Sequence, residues 1–217
     1  MTRTVLLCGA TGLVGRECLR MLLADPHFET VATLTRRALP EELVPAEHAR
    51  RLEQRVVDFD HLADNAPAMK ADAIICALGT TIEEAGSRQR FREVDFGYPL
   101  AIARLGVEQG DQHFLLVSAL GASARSLIFY NRVKGELEDA VLALPYRSVS
   151  IVRPSLLVGD RARPRAGEQV AQRLAFLVPA RYKPIPARAV AAALVRMARE
   201  DVPGRRILES REMQRFT

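Results

Sequence analysis

Tyr130 and Lys134 stand at positions i and i+4 of the segment Phe129 to Leu142, whose apolar spacing predicts a helix. On a helix such positions share a face. An ammonium beside a phenol favours the phenolate, which makes a tyrosine usable as a general acid or base near neutral pH. An amphipathic helix with a surface lysine would show the same pattern. Two features add weight to the chemical reading. Lys134 is one of three lysines, with Lys70 and Lys183, among 31 basic residues. The pair also follows a predicted strand, Phe114 to Val117, and ligands bind at the carboxyl ends of strands in open parallel sheets. Ser118 ends that strand. Its hydroxyl is read either as a partner for a substrate oxygen or as a turn residue that terminates the strand.

A second constellation lies near the start of the chain. Gly9-Ala10-Thr11-Gly12-Leu13-Val14-Gly15 follows the apolar run Thr4 to Cys8 and opens a helical pattern, Leu13 to Ala24. Gly9 permits a tight turn, Gly12 lets backbone approach a pyrophosphate, and Gly15 lets the helix pack close to the sheet. The helix N-terminus offers free N–H groups and partial positive charge to phosphates. At a first βα turn with both flanks matching, this pattern predicts a dinucleotide site.

The next strand, Thr30 to Leu34, is followed by Thr35-Arg36-Arg37. Folds that take NAD place an acidic residue there to hold ribose hydroxyls. Guanidiniums cannot accept from hydroxyls but suit a 2′-phosphate, so the expected cofactor is NADP(H). Asp58 follows the third strand, Glu53 to Val57, and has two open readings: an acceptor for the adenine amino group, or an N-cap for the short helix Asp60 to Ala68. Leu78-Gly79 follows the fourth strand, Ala73 to Cys76, where backbone must pass the cofactor.

The elements that position these residues alternate in type. A loop or short helix is expected over 38–50, and a long helix over Ser87 to Gln109 with a bend near Pro99. A sixth strand over Arg147 to Val152 is closed by Arg153-Pro154. Further helices over about 168–176 and Ala187 to Arg199 precede a last strand, Arg206 to Glu209. Alternating strands and helices imply βαβ units. Continuous apolar strands such as VLLC and FLLV imply burial on both faces. The expected fold is a single α/β Rossmann-type domain over 1–217, a doubly wound parallel sheet with helices on both faces. A small C-terminal substrate cap is expected from about 154–190.

Bulk properties narrow the function class. The chain is 48% hydrophobic and 26% charged, an ordinary globular balance. Net charge is +5, but the arginines are scattered, aromatics are only 6% and Trp is absent. That argues against nucleic-acid binding, which needs a basic face interleaved with stacking residues. Cys8, Cys18 and Cys76 are an odd set without CxxC spacing, so neither a disulfide framework nor a zinc site is expected. No segment reaches the ~20 apolar residues of a membrane span, and the first strand follows the N-terminus directly. A cytoplasmic location is therefore expected.

Taken in order, these motifs resemble the atypical short-chain dehydrogenase/reductases. The resemblance runs through GATGLVG at 9–15, TLTRR at 33–37, VVDFD at 56–60, CALGTT at 76–81, FLLVSALGA at 114–122, YNRVKGELE at 130–138 and RPSLLVGDR at 153–161. It implies NADPH contacts at Thr11, Gly12, Leu13, Val14, Arg36, Arg37, Leu78, Gly79, Tyr130 and Lys134. It adds Leu157 and Arg165, which the residues alone do not single out. It assigns Tyr130 as proton donor or acceptor with Ser118 assisting. Ala119 and Asn131 depart from the pattern, which carries a second serine and an apolar residue there. The implied activity is NADPH-dependent reduction of a small carbonyl compound. A regulator that senses NADPH without turnover, and an isomerase with resident nicotinamide, are the alternatives. A homodimer or a protein partner is left open.

Overall fold

The computed structural model describes residues 3–44, 46–158 and 183–216. The expected helix at 168–176 and Arg165 lie outside them, as does most of the expected cap. A parallel sheet is built from β1 (Arg3–Cys8), β2 (Phe28–Thr35), β3 (Leu52–Val56), β4 (Ala73–Cys76), β5 (His113–Val117), β6 (Ser148–Arg153) and β9 (Gly204–Glu209). The spatial order is β3-β2-β1-β4-β5-β6-β9, and every neighbouring pair is parallel. The short strands β7 (Leu157–Val158) and β8 (Ile185–Pro186) pair separately.

Alternation along each strand feeds two cores. In β1, Val5 and Leu7 pack with α1 (Leu13–Ala24) and α6 (Ala187–Glu200) on one face. Leu6 and Cys8 pack on the other, with Phe59, Leu62 and Met69 of a 3₁₀ segment, α4 (Tyr98–Glu108) and α5 (Phe129–Leu142). Burial on both faces is why the strands read as unbroken apolar runs. All three cysteines are buried and free.

Within the described residues the expected elements form, with local differences. Residues 38–50 hold two 3₁₀ turns, Glu41–Leu43 and Ala46–Arg51. Ahead of the long helix, which begins at Ser87 as expected, stands an unforeseen helical turn, α2 (Ile82–Ala85), closed by Gly86 in the left-handed region. A capping box between Thr81 and Glu84 starts it. Next comes α3 (Arg88–Arg92), then a widened π-turn over Glu93–Gly97 that leads into α4. The irregularity lies one turn before Pro99 because proline lacks the N–H that would bond the carbonyl of residue 95, so the turn ahead of it opens. A short final helix, α7 (Ser210–Met213), was not foreseen.

A polar network ties the edge of the sheet opposite the strand carboxyl ends. Asp201, at the left-handed C-cap of α6, pairs with Arg3, Arg147 and the Nδ1 of buried His113. His113 also bonds Ser150 Oγ at 2.9 Å. Burial, above all, pushes His113 down to about 4 and pushes nearby buried Asp111 up to about 7. In an unfolded chain these groups titrate near ~6.5 and ~3.9. The stability from His113 is present above ~6.5 and lost as pH falls toward ~4; that from Asp111 is present below ~4 and lost as pH rises toward ~7. Across roughly pH 4.5–6.5 the two slopes oppose, each about 1.4 kcal/mol per pH unit at most. Urea unfolding should therefore show a nearly flat contribution from this pair. His113→Gln should lose stability as pH rises through the window, and Asp111→Asn should gain it, each by ~2 kcal/mol. Parallel shifts in the two variants would contradict this assignment.

Candidate cofactor cleft and active site

In the strand order, β1 and β4 are neighbours whose connections leave in opposite directions, the position where such sheets open a crevice. A cleft of about 830 Å³ lies there, within the ~300–1,000 Å³ range of ligand sites. Its walls include Gly9, Thr11, Gly12, Thr35, Arg36, Arg37, Leu78 and Gly79. Thus the glycine turn, the arginine pair and the β4 end, read separately from the sequence, meet in one cavity.

The turn itself has the required geometry. Gly9 has φ +88°, and a Cβ there would lie 2.6 Å from the Ala77 carbonyl oxygen. A Cβ on Gly15 would come within 1.9 Å of the Gly9 oxygen. α1 has no side-chain cap and no acidic residue in its first turn. Its first intrahelical bond runs from Arg16 N–H to the Gly12 carbonyl, and Gly12 N–H bonds the Gly9 carbonyl, which leaves the N–H groups of Leu13, Val14 and Gly15 for a ligand. Val14 is buried in the core, so it can offer only backbone there. Leu13 and Leu157 pack against the same core and do not line the cleft.

Arg36 and Arg37 are exposed on the cleft wall, and neither guanidinium has an ion-pair or hydrogen-bond partner among the described residues. Asp58 takes the capping role of its two readings. Its carboxylate accepts from Asp60 N–H at 2.9 Å and contacts His61 Nδ1 at 2.8 Å. The adjacent Phe59, not Asp58, lines the cleft, together with Arg90 and Tyr98. Arg90 donates to Tyr98 Oη at 3.0 Å, and Tyr98 donates to Asp60. The sequence reading missed this group.

At the carboxyl end of β5, Ser118 is buried and its Oγ has no partner among the described residues. A buried hydroxyl without a partner is costly; a substrate oxygen would satisfy it. Tyr130 is half-buried on α5, its ring tilted against Phe91 of α3 at 5.6 Å between centroids. Lys134 is buried on the same face, with its Nζ 2.8 Å from Oδ1 of buried Asp95. Burial pulls the Lys134 ammonium down, but Asp95 and Tyr130 together outweigh it and hold it above its ordinary value. One turn further on, Glu138 holds Arg153 through Nε and Nη2, and Arg153 also reaches Glu209 at 3.0 Å. This clamp fixes the end of β6 where Arg153-Pro154 leaves the sheet.

Asp95 was not singled out from the sequence, although a signal exists. Phe91, Asp95, Tyr98 and Ile102 repeat at helical spacing and are all buried. A carboxylate on an apolar stripe must find a partner.

The chain matches the NAD(P)H-binding family over residues 9–201. The rat protein HTATIP2 is 37% identical over 172 residues, covering 79% of this chain and 69% of that one. The Candida albicans "Protein FMP52, mitochondrial" is 33% identical over 167 residues, covering 76% and 72%. This chain belongs to the NAD(P)H-binding family. Among solved structures, MoeE5 in complex with UDP-glucuronic acid and NAD has a TM-score of 0.75 at 17% identity, over 94% of this chain and 75% of that one. The YIR035C short-chain dehydrogenase/reductase from Saccharomyces cerevisiae has a TM-score of 0.69 at 12% identity, over 95% of each chain. At such identities the likeness shows the fold alone, a Rossmann sheet. No helix among the described residues is long and apolar enough to cross a membrane.

Proposed function

We propose that this family member is an NADP(H)-dependent oxidoreductase that reduces a small carbonyl substrate. One observation carries the reading. The cleft bordered by Arg36 and Arg37 is also bordered by Gly79, and a Cβ on Gly79 would lie only 3.7 Å from Lys134 Nζ. The cofactor cleft therefore abuts the lysine beside Tyr130.

The residues fit the dinucleotide. The free N–H groups of α1 would hold the pyrophosphate, and Arg36 and Arg37 the 2′-phosphate. When bound, NADPH supplies the hydride for the carbonyl carbon. Ser118 holds the carbonyl oxygen through its hydroxyl, and Tyr130 delivers the proton to that oxygen. Lys134 bonds the nicotinamide ribose and keeps a positive charge beside Tyr130. Three free thiols fit a reducing compartment, and the reading places the protein in the cytoplasm.

The purified protein, incubated with NADPH and a panel of aldehydes and ketones, should consume NADPH with at least one of them. Tight NADPH binding with no turnover across the panel would replace this reading with that of a cofactor-sensing protein.

A further inference from the structure

α1 and α6 pack side by side on one face of the sheet, and a groove of about 430 Å³ runs along their outer seam. It shares no wall residue with the cofactor cleft. Its banks are basic. Arg188 and Arg196 stand about two turns apart on α6, on one face of the helix, with Ala192 between them. Arg199 follows a turn later, and Arg20 faces them from α1. Against these four guanidiniums the walls hold one carboxylate, Asp25 at the C-cap of α1. Ala24 and Ala192, with Met21 and the buried Val195, make an apolar floor of mostly small side chains.

The arginines are not locked into the fold. The side chains of Arg20, Arg196 and Arg199 are each more than half exposed. Their ion pairs with Glu17, Glu200 and Asp25 are surface pairs, which hold their partners weakly. Arg188 is exposed and has no partner among the described residues. Carboxylates from outside can therefore take these guanidiniums over at little cost. The make-up of the groove selects its occupant. No aromatic wall is present to stack nucleic-acid bases. A membrane surface needs apolar side chains that protrude, whereas here they lie beneath the guanidiniums. From Arg188 to Arg199 the bank runs ~16 Å, about three turns of a helix. The small floor residues let a second helix come close, and the planar fork of arginine bonds a carboxylate through two N–H groups. We propose that the α1–α6 groove docks an acidic amphipathic helix of a partner protein, its apolar stripe on the alanine floor and its carboxylates on the arginines of both banks. The net charge of +5 draws such a partner in. The docking surface stands apart from the cleft and does not depend on what the cleft binds.

The test uses the full chain and a fluorescently labelled peptide of about four helical turns, with glutamates flanking a stripe of alanine and leucine at helical spacing. A second peptide has the same composition in scrambled order, so the charge is equal and the apolar face is lost. Fluorescence anisotropy at ~0.15 M salt should show the patterned peptide binding about tenfold tighter than the scrambled one. Arg188→Glu/Arg196→Glu should weaken the patterned peptide about tenfold or more. Arg104→Glu/Arg211→Glu changes the net charge equally at exposed positions outside the groove, and should change affinity by less than about threefold. Arg188→Gln removes an arginine that has no partner among the described residues, and carries the test, with a loss of about threefold, if the double reversal does not fold. Equal affinity for the two peptides, equal losses in the two double variants, or binding of neither peptide would each overturn the proposal. Binding to vesicles of phosphatidylcholine and phosphatidylserine without binding to the peptide would overturn it in favour of a lipid surface. Self-association abolished by Arg188→Glu/Arg196→Glu would overturn it in favour of a second copy of this chain.

Discussion

Tyr130→Phe is expected to lower turnover of any carbonyl substrate by about 10²–10⁴-fold, the usual scale of a lost general acid. The substitution removes one hydroxyl and little else. The ring that packs on Phe91 at 5.6 Å is kept, as is the Lys134–Asp95 pair on the neighbouring turn. Cofactor affinity should therefore stay within a few-fold of wild type, so that the loss falls on kcat and not on binding. Ser118→Ala should act in the same direction but less, because it removes a partner for the substrate oxygen and leaves the proton donor in place. Turnover unchanged by Tyr130→Phe would remove Tyr130 from the chemistry and leave α5 as a scaffold. Loss of turnover together with loss of NADPH binding would mean that the tyrosine holds the cofactor and not the reacting oxygen.

The second large effect is on cofactor choice. Arg36→Ala/Arg37→Ala should weaken NADPH about 100-fold while changing NADH by no more than about twofold, since a hydrogen bond to a charged group contributes ~1.5–3 kcal/mol. Many other arginines of the chain are engaged: Arg51 holds three carbonyls, Arg55 a carboxylate and two carbonyls, and Arg153 two carboxylates. Arg36 and Arg37 are exposed on the cleft wall without a partner among the described residues. Two adjacent, unengaged guanidiniums raise the local positive potential and make a dianionic phosphate their natural counter-charge. Because the pair is exposed, the NADPH preference should shrink as salt is added. Equal affinity of wild type and variant for NADPH would make the arginines ordinary solvated loop charges.

What the sequence made legible is what period and spacing encode. Strands buried on both faces announced themselves as VLLC and FLLV, and the glycine turn was readable because only glycine satisfies the φ of +88° at Gly9 and the 1.9 Å approach at Gly15. The meeting of that turn with Arg36, Arg37 and Gly79 followed from strand order. What stayed hidden depends on contacts between elements distant in sequence. Asp95 and Lys134 lie on different helices, and nothing local says that a carboxylate before Tyr98 will find an ammonium on α5. Asp58 could be read two ways because its cap partner, the Asp60 N–H, and an adenine amino group are both donors. The shift of the bend from Pro99 into Glu93–Gly97 reflects a proline acting on the turn before it. Arg90, Tyr98 and Phe59 join the cleft only through the packing of α3 and α4 over the 3₁₀ segment Phe59–Met69.

The cleft at the β1–β4 crevice is proposed to hold NADP(H). Calorimetric titration of the intact protein with NADPH and with NADH, under one buffer and salt condition, tests it most directly. A single NADPH site per chain is expected, with affinity well above that for NADH. Equal affinity for the two would contradict the 2′-phosphate assignment, and binding of neither would contradict the cofactor site as a whole.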